Sequence, residues 1–140
     1  MRVGFTGTQR GMTRVQEALV ASMVRHPNVT AIHHGDCIGA DMQVHAVAIG
    51  AGKWTVVHPP IKQDKRAWCV GSEVLEPKAY DKRNADIVLF TDRLIAAPEG
   101  PEKSFPRSGT WMTVRMARSR GRQITIVWPN GTVTREPGNG

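Results

Sequence analysis

Four short segments hold the residues best suited to chemistry: Thr6-Gly7-Thr8-Gln9-Arg10-Gly11, His34-Gly35-Asp36-Cys37-Ile38-Gly39-Ala40-Asp41, His58-Pro59-Pro60 and Pro98-Glu99-Gly100. Glycine lets a backbone approach a ligand closely, and N–H groups at a following helix start hold an anion. Gly and Pro would serve equally to turn a chain from strand to helix, but a turn alone does not call for the interleaved Thr, Arg and Asp. A fifth segment, Arg107-Ser108-Gly109-Thr110, combines backbone donors, two hydroxyls and a guanidinium, the donor set of a phosphate cradle. A Ser or Thr N-cap beside a surface arginine has the same spelling, and spacing does not separate the two.

Neither glycine segment contains the Gly-Lys-Ser/Thr of a Walker A loop, and Gly7 to Gly11 is not a Gly-x-Gly-x-x-Gly fingerprint. This argues against a P-loop NTPase or an ordinary dinucleotide dehydrogenase. His33, His34, His45 and His58 invite a metal reading, yet no His-x-x-x-His with a suitable third ligand is present. His33 and His34 also point to opposite sides of any strand that runs through both, so hydrogen-bonding histidines are expected and no metal site. Cys37 stands where helix N–H groups would lower a thiol pKa, but without an identifiable His or Asn partner it is expected to be incidental. Trp111, Arg115, Arg118 and Arg122 recur at helical spacing within a stretch, Lys103 to Arg122, that has six basic residues and no acid. Such a stripe is either a solvated or self-associating face with Trp111 half buried, or a contact for single-stranded nucleic acid.

Positioning these segments requires alternating strands and helices. Near-continuous apolar runs at Arg2–Phe5, Thr30–His33, Trp54–Val57, Leu94–Ala97 and Gln123–Trp128 suit strands buried on both faces of a parallel sheet. Val15, Ala18, Leu19, Ser22 and Met23 follow a helical period, and Thr13 with Gln16 spells a capping box, so the first helix starts at Thr13. Ala40 to Ala51 repeats the pattern until Gly50 and Gly52 stop it. Pro77 to Asp92 is expected as a helix that opens on its proline, with Tyr80, Asn84, Ile87 and Thr91 on one face. A short helix is expected around Lys65 to Val70, a last helix at Thr110 to Ser119, and a turn at Trp128 to Thr132 into a small terminal strand. In an open parallel sheet ligands bind beyond the strand C-termini, which puts the segments above in one crevice.

The chain has 140 residues, 19 Lys and Arg against 12 Asp and Glu, a net charge of +7, and 40% hydrophobic residues. That is enough for one core without disulfides or a structural metal, and the two cysteines are expected to be reduced thiols. No run approaches the roughly 18 apolar residues a membrane span needs, and Met1 to Gly7 meets a glycine turn before a signal-peptide core could form. A cytoplasmic protein with anionic partners and no membrane partner is expected.

Taken together, Gly7-Thr8, the His34 to Asp41 segment, Arg83-Asn84, Asp92-Arg93-Leu94-Ile95-Ala96 and Arg107-Ser108-Gly109-Thr110 resemble the SLOG superfamily. That group includes the DNA-processing protein A proteins, the Lonely Guy phosphoribohydrolases, molybdenum-cofactor carrier-like proteins and nucleotide-sensing domains. The resemblance runs nearly to Trp128 and implies a Rossmann-like fold. Gly39-Ala40-Asp41-Met42-Gln43-Val44-His45 is similar to the Gly-Ile-Asp-x-x-Ala-His of the DNA-processing branch, as is the Ser-Gly-Thr region, although flanking helical domains of that branch are absent here. The Lonely Guy branch carries Pro-Gly-Gly-x-Gly-Thr-x-x-Glu, and this chain has Thr113 at the glutamate position and an insertion between Gly100 and Gly109. Glycosidic cleavage needs a carboxylate or general acid beside the anomeric carbon, and threonine is neither. Asp36, Asp41, Glu99 and Glu102 are the acids left to substitute.

The sequence therefore predicts a single-domain α/β protein: a Rossmann-like parallel sheet of about five strands flanked by helices over residues 1–134, and a flexible tail over 135–140. Its expected role is to bind a nucleotide or nucleotide-derived ligand as sensor, carrier or sequestering protein. The expected ligand residues are Gly7, Thr8, Arg10, Gly35, Asp36, Gly39, Asp41, Arg83, Asn84, Arg107, Ser108, Gly109 and Thr110. No residue is assigned to catalysis and no cofactor is expected. The alternatives are N-glycosidic hydrolysis of a nucleoside monophosphate and binding of single-stranded DNA. The resemblance also implies a homo-oligomer.

Overall fold

A computed structural model describes residues 1–139. The order is β1 (Arg2–Gly7), α1 (Arg14–Val24), β2 (Ala31–His34), α2 (Ala40–Gly50), β3 (Trp54–Val57), β4 (Glu73–Val74), α3 (Tyr80–Leu89), β5 (Arg93–Ala97), a 3-10 turn (Glu102–Ser104), α4 (Gly109–Ser119), β6 (Gln123–Val127) and β7 (Val133–Glu136). One sheet of seven strands runs β4-β3-β2-β1-β5-β6-β7, and only the β6–β7 pair is antiparallel. This is the expected α/β Rossmann-like class; β7 is the small terminal strand expected after the turn at Trp128 to Thr132, and β4 is a further edge strand that the sequence does not announce. The apolar strands are buried because helices cover both faces: α1 and α2 pack on Val3, Phe5 and Ile32, while α4 packs on Leu94, Ala96, Ile124 and Ile126. The chain leaves β1 toward β2 on one side and β5 lies on the other, so the strand order reverses between β1 and β5, where α/β sheets open a crevice.

Helix α1 begins as its spelling predicts: the Thr13 hydroxyl accepts from Gln16 N–H, and the Gln16 side chain accepts from Thr13 N–H. Helix α3 is shorter than expected. Pro77 lies outside it because Lys78 N–H donates to Pro59 O and Ile61 N–H to Lys78 O, which keeps Pro77 to Ala79 extended beside the β3 exit. The helix expected around Lys65 to Val70 does not form. Instead, Ala67 N–H donates to Asp36 O and Ile38 N–H to Lys65 O, so backbone groups that a helix would use internally bind the β2 exit. At the C-terminus β7 runs to Glu136, and Asn139 N–H donates to Gly121 O, so ordered structure reaches into the stretch expected as a tail. Gly140 lies outside the described residues. Among the described residues no helix is long and apolar enough to cross a membrane.

Candidate functional site

A crevice of about 580 Å³ opens at the C-terminal ends of β1 and β5, within the size range of small-molecule sites. The structure brings Gly7, Thr8, Arg10, Gly35, Asp41, Arg83, Asn84, Arg107, Ser108, Gly109 and Thr110 to its walls. Sequence reasoning did not place its apolar lining of Phe5, Tyr80, Ile87, Phe105, Trp111 and Met112, nor Lys65, in the crevice, and read Trp111 only as part of the arginine stripe. Phe5 and Ile87 read only as core, and Lys65 reaches the crevice through a loop whose path no periodicity announces.

The two helix starts nearest the crevice differ. At α2, Ala40 N–H donates to Thr8 O, so the β1 loop takes up the first donor of that end. At α4, Ser108 caps by accepting from Trp111 N–H, and Gly109 and Thr110 make no backbone hydrogen bond through their N–H groups. A Cβ added at Gly109 would meet nothing within 4 Å, so a ligand atom can approach this backbone. Open N–H groups, the Arg107 side chain and the positive end of an eleven-residue helix converge on the crevice wall.

Two predicted residues do not line the crevice. Asp36 is completely buried in a left-handed conformation, φ 57°. Its carboxylate turns to the Lys62–Ser72 segment, accepting from Arg66 Nε at 2.9 Å and from Cys69 N–H at 2.8 Å. Asp36 is thus a latch for that loop. Gly39, φ 87°, sits where α2 meets the β1 loop: any Cβ there would fall on the Gln9 carbonyl and 2.7 Å from Thr8 O.

The crevice floor is formed by Arg83, Asn84, Cys37 and Asp41. Arg83 is 5% exposed and donates through Nε to Asn84 Oδ1 at 2.7 Å, and through Nη1 to the carbonyls of Gly35 and His58. Asp41 accepts Cys37 N–H through Oδ2 at 3.2 Å, while Oδ1 is the one buried side-chain N or O without a partner among the described residues. Burial pushes the Asp41 carboxyl up to about 6, against the opposing pull of Arg83. Burial pushes the Cys37 thiol up as well, to about 11, so the helix-activated thiolate considered above is not formed. Of the acids left to replace a catalytic glutamate, Asp41 and Glu99 reach the crevice, whereas Asp36 and Glu102 are engaged elsewhere. Thr113 is fully buried and donates to Gly109 O at 2.9 Å.

The histidines form two pairs. His33 Nδ1 lies 2.8 Å from His58 Nε2, and His34 Nε2 lies 2.9 Å from His45 Nδ1. The second pair has its proton positions set by its neighbours. Asp36 N–H donates to His34 Nδ1, so neutral His34 carries its proton on Nε2 and donates to His45 Nδ1, which leaves His45 Nε2 to donate to Val70 O at 3.1 Å. Cys69 Sγ comes within 4.8 Å of His34 and His45 ligand atoms. Ligation through His34 Nε2 would require an imidazolate or the loss of the Asp36 contact, so this donor set does not fit a metal.

The arginine stripe is not a free face. Trp111 is 2% exposed and donates from its indole to Gly100 O. Arg115 pairs with Glu102, Arg118 pairs with Glu102 and Glu136, and Arg122 donates to Val88 O. The absence of acids between positions 103 and 122 is made up in space by the acids that flank it.

No family model matches the sequence, and no curated protein does. Solved structures do share the fold. The molybdenum cofactor binding protein of Rippkaea orientalis superposes with a TM-score of 0.70 at 17% identity over 91% of this chain and 76% of its own. DNA processing protein A of Streptococcus pneumoniae gives 0.68 at 19% identity over 89% of this chain, which spans about half, 49%, of that protein. The protein TM1055 gives 0.64 at 13% identity over 88% and 71%. These likenesses show a shared Rossmann-like fold, the fold that the motif resemblance implies.

Proposed function

We propose that this protein binds a nucleotide or nucleotide-derived ligand in the β1/β5 crevice, with a phosphate on Arg107, Ser108, Gly109 and Thr110. The observation that carries the reading is the open start of α4 on the crevice wall, where the Gly109 and Thr110 N–H groups and the Arg107 side chain meet. Gly7, Thr8 and Arg10 line one side, and Gly35, Asp41, Arg83 and Asn84 line the floor. The apolar surfaces of Tyr80, Phe105 and Ile87 suit a base. Calorimetry with mono-, di- and cyclic nucleotides, and mass spectrometry of the natively purified protein, test it. Binding is expected, and Arg107→Ala should weaken it about tenfold or more by removing a charge-assisted contact. No binding and no retained nucleotide would overturn the reading. Pairing of two copies belongs to the same proposal: Met42 and Ile49 stand exposed along α2, and light scattering measures the state.

Asp41 supports a second reading. A carboxyl that titrates near 6 beside a ligand crevice has the properties of a general acid for cleavage of a nucleotide's glycosidic bond. Release of free base from a nucleoside monophosphate, lost in Asp41→Asn, would establish hydrolysis, and no release on long incubation would leave binding alone.

A further inference from the structure

The donors on the crevice floor are poorly matched. Arg83 Nε and Nη1 are saturated by oxygen acceptors, but Nη2 meets only Cys37 Sγ at 3.9 Å. Asn84 spends Oδ1 on Arg83, and its Nδ2 donates only to Met112 Sδ at 3.5 Å. A thiol and a thioether are weak acceptors, and buried donors are normally met by oxygen or nitrogen. Both residues are at least 95% buried, 5% and 4% exposed, and both line the crevice. Arg83 makes no ion pair among the described residues, and Asp41, across Gly35 from it, is not paired with it. A buried guanidinium normally has a bound counter-charge. In the whole lining, Arg10, Lys65, Arg83 and Arg107 face two carboxylates, Asp41 and Glu99, and Glu99 is already paired with Arg10 at 3.2 Å. One anion on α4 leaves the floor donors unanswered.

We infer that the ligand carries two linked acidic groups, as a nucleoside diphosphate or a pyrophosphate-bridged nucleotide does, one seated on the open start of α4 and the other on Arg83 Nη2 and Asn84 Nδ2. The inference rests on the nucleotide reading above. Met112, which touches Asn84, lies in the first turn of α4, so the two donor sets are neighbours and a bridged pair of phosphates suits them better than two separate anions.

The test compares adenosine, AMP and ADP by calorimetry in the wild-type chain and in Asn84→Asp. This substitution keeps the oxygen that accepts from Arg83 Nε and replaces the Nδ2 donor with a negative oxygen, so it spares the fold and repels an anion at the second seat. ADP should bind the wild type about tenfold or more tighter than AMP, and Asn84→Asp should reduce that ratio to near unity. Equal AMP and ADP affinities in the wild type, or a ratio unaltered by Asn84→Asp, would overturn the inference while leaving nucleotide binding in place. If no nucleotide binds, the nucleotide reading itself fails. Inorganic pyrophosphate against phosphate then decides the two-anion claim alone, with preference for pyrophosphate, lost in Asn84→Asp, supporting it and equal or absent binding overturning it.

Discussion

The Asp41 carboxyl is 6% exposed, holds one backbone N–H and leaves Oδ1 unpartnered. Its pKa rises from 3.8 to about 6, so the native state holds this proton more tightly than the unfolded chain does. The sign follows: the group favours folding below about pH 4, and that benefit is lost as pH rises through 6. Two units correspond to about 3 kcal/mol at pH 7. Asn can still accept Cys37 N–H but buries an unmatched amide, so Asp41→Asn should stabilise by about 1–2 kcal/mol at pH 7 and by nothing at pH 4. Urea midpoints at the two pH values measure this. Equal effects at both would mean the carboxyl is not strained by burial.

At the scale of elements, two glycines at the ends of α2, one read in sequence as a ligand residue and the other as a helix stop, differ in the room around them. Gly39 precedes the helix at φ 87° with no room for a Cβ, whereas at Gly50, in its last turn, a Cβ would meet nothing within 4 Å. Gly39→Ala should cost about 3 kcal/mol or more, because backbone of the β1 loop must move, and Gly50→Ala should gain about 0.5–1 kcal/mol from the unfolded state. Denaturant midpoints of the two variants decide it; similar values would contradict the packing of α2 on Thr8 and Gln9. The pair also marks where reading a sequence stops. The strands, the Thr13 capping box and the placement of the strand exits in one crevice follow from patterns that repeat or from rules of parallel sheets. The latch role of Asp36 does not, because it depends on where the Lys62–Ser72 loop crosses, a tertiary fact with no local period. The small strand β4 was illegible, because two residues are too few to show alternation, whereas β7 follows the turn at Trp128 to Thr132 that announces it.

For the whole molecule, part of the excess of seven positive charges is answered locally: Glu102 and Glu136 take up Arg115 and Arg118, and the cations near α4 include the crevice residue Arg107. Proton balance, rather than net charge, sets its stability. Burial lowers His33 to about 4, His34 to about 3 and His58 to about 3 from 6.5, because each is neutral in its native hydrogen bond. Here the unfolded chain binds the protons, so stability present above pH 6.5 is lost as pH falls toward these values. Asp41 acts in the opposite direction between 6 and 3.8, one group against three. With three groups against one, acidification from pH 7 to 4.5 removes on the order of several kcal/mol, a large share of the total stability of a small domain. The fold should therefore collapse between pH 5 and 4, with a steepness of about two protons, when followed by circular dichroism. Stability unchanged between pH 6.5 and 4.5 would mean that the His33–His58 and His34–His45 pairs are charged or open in the native protein.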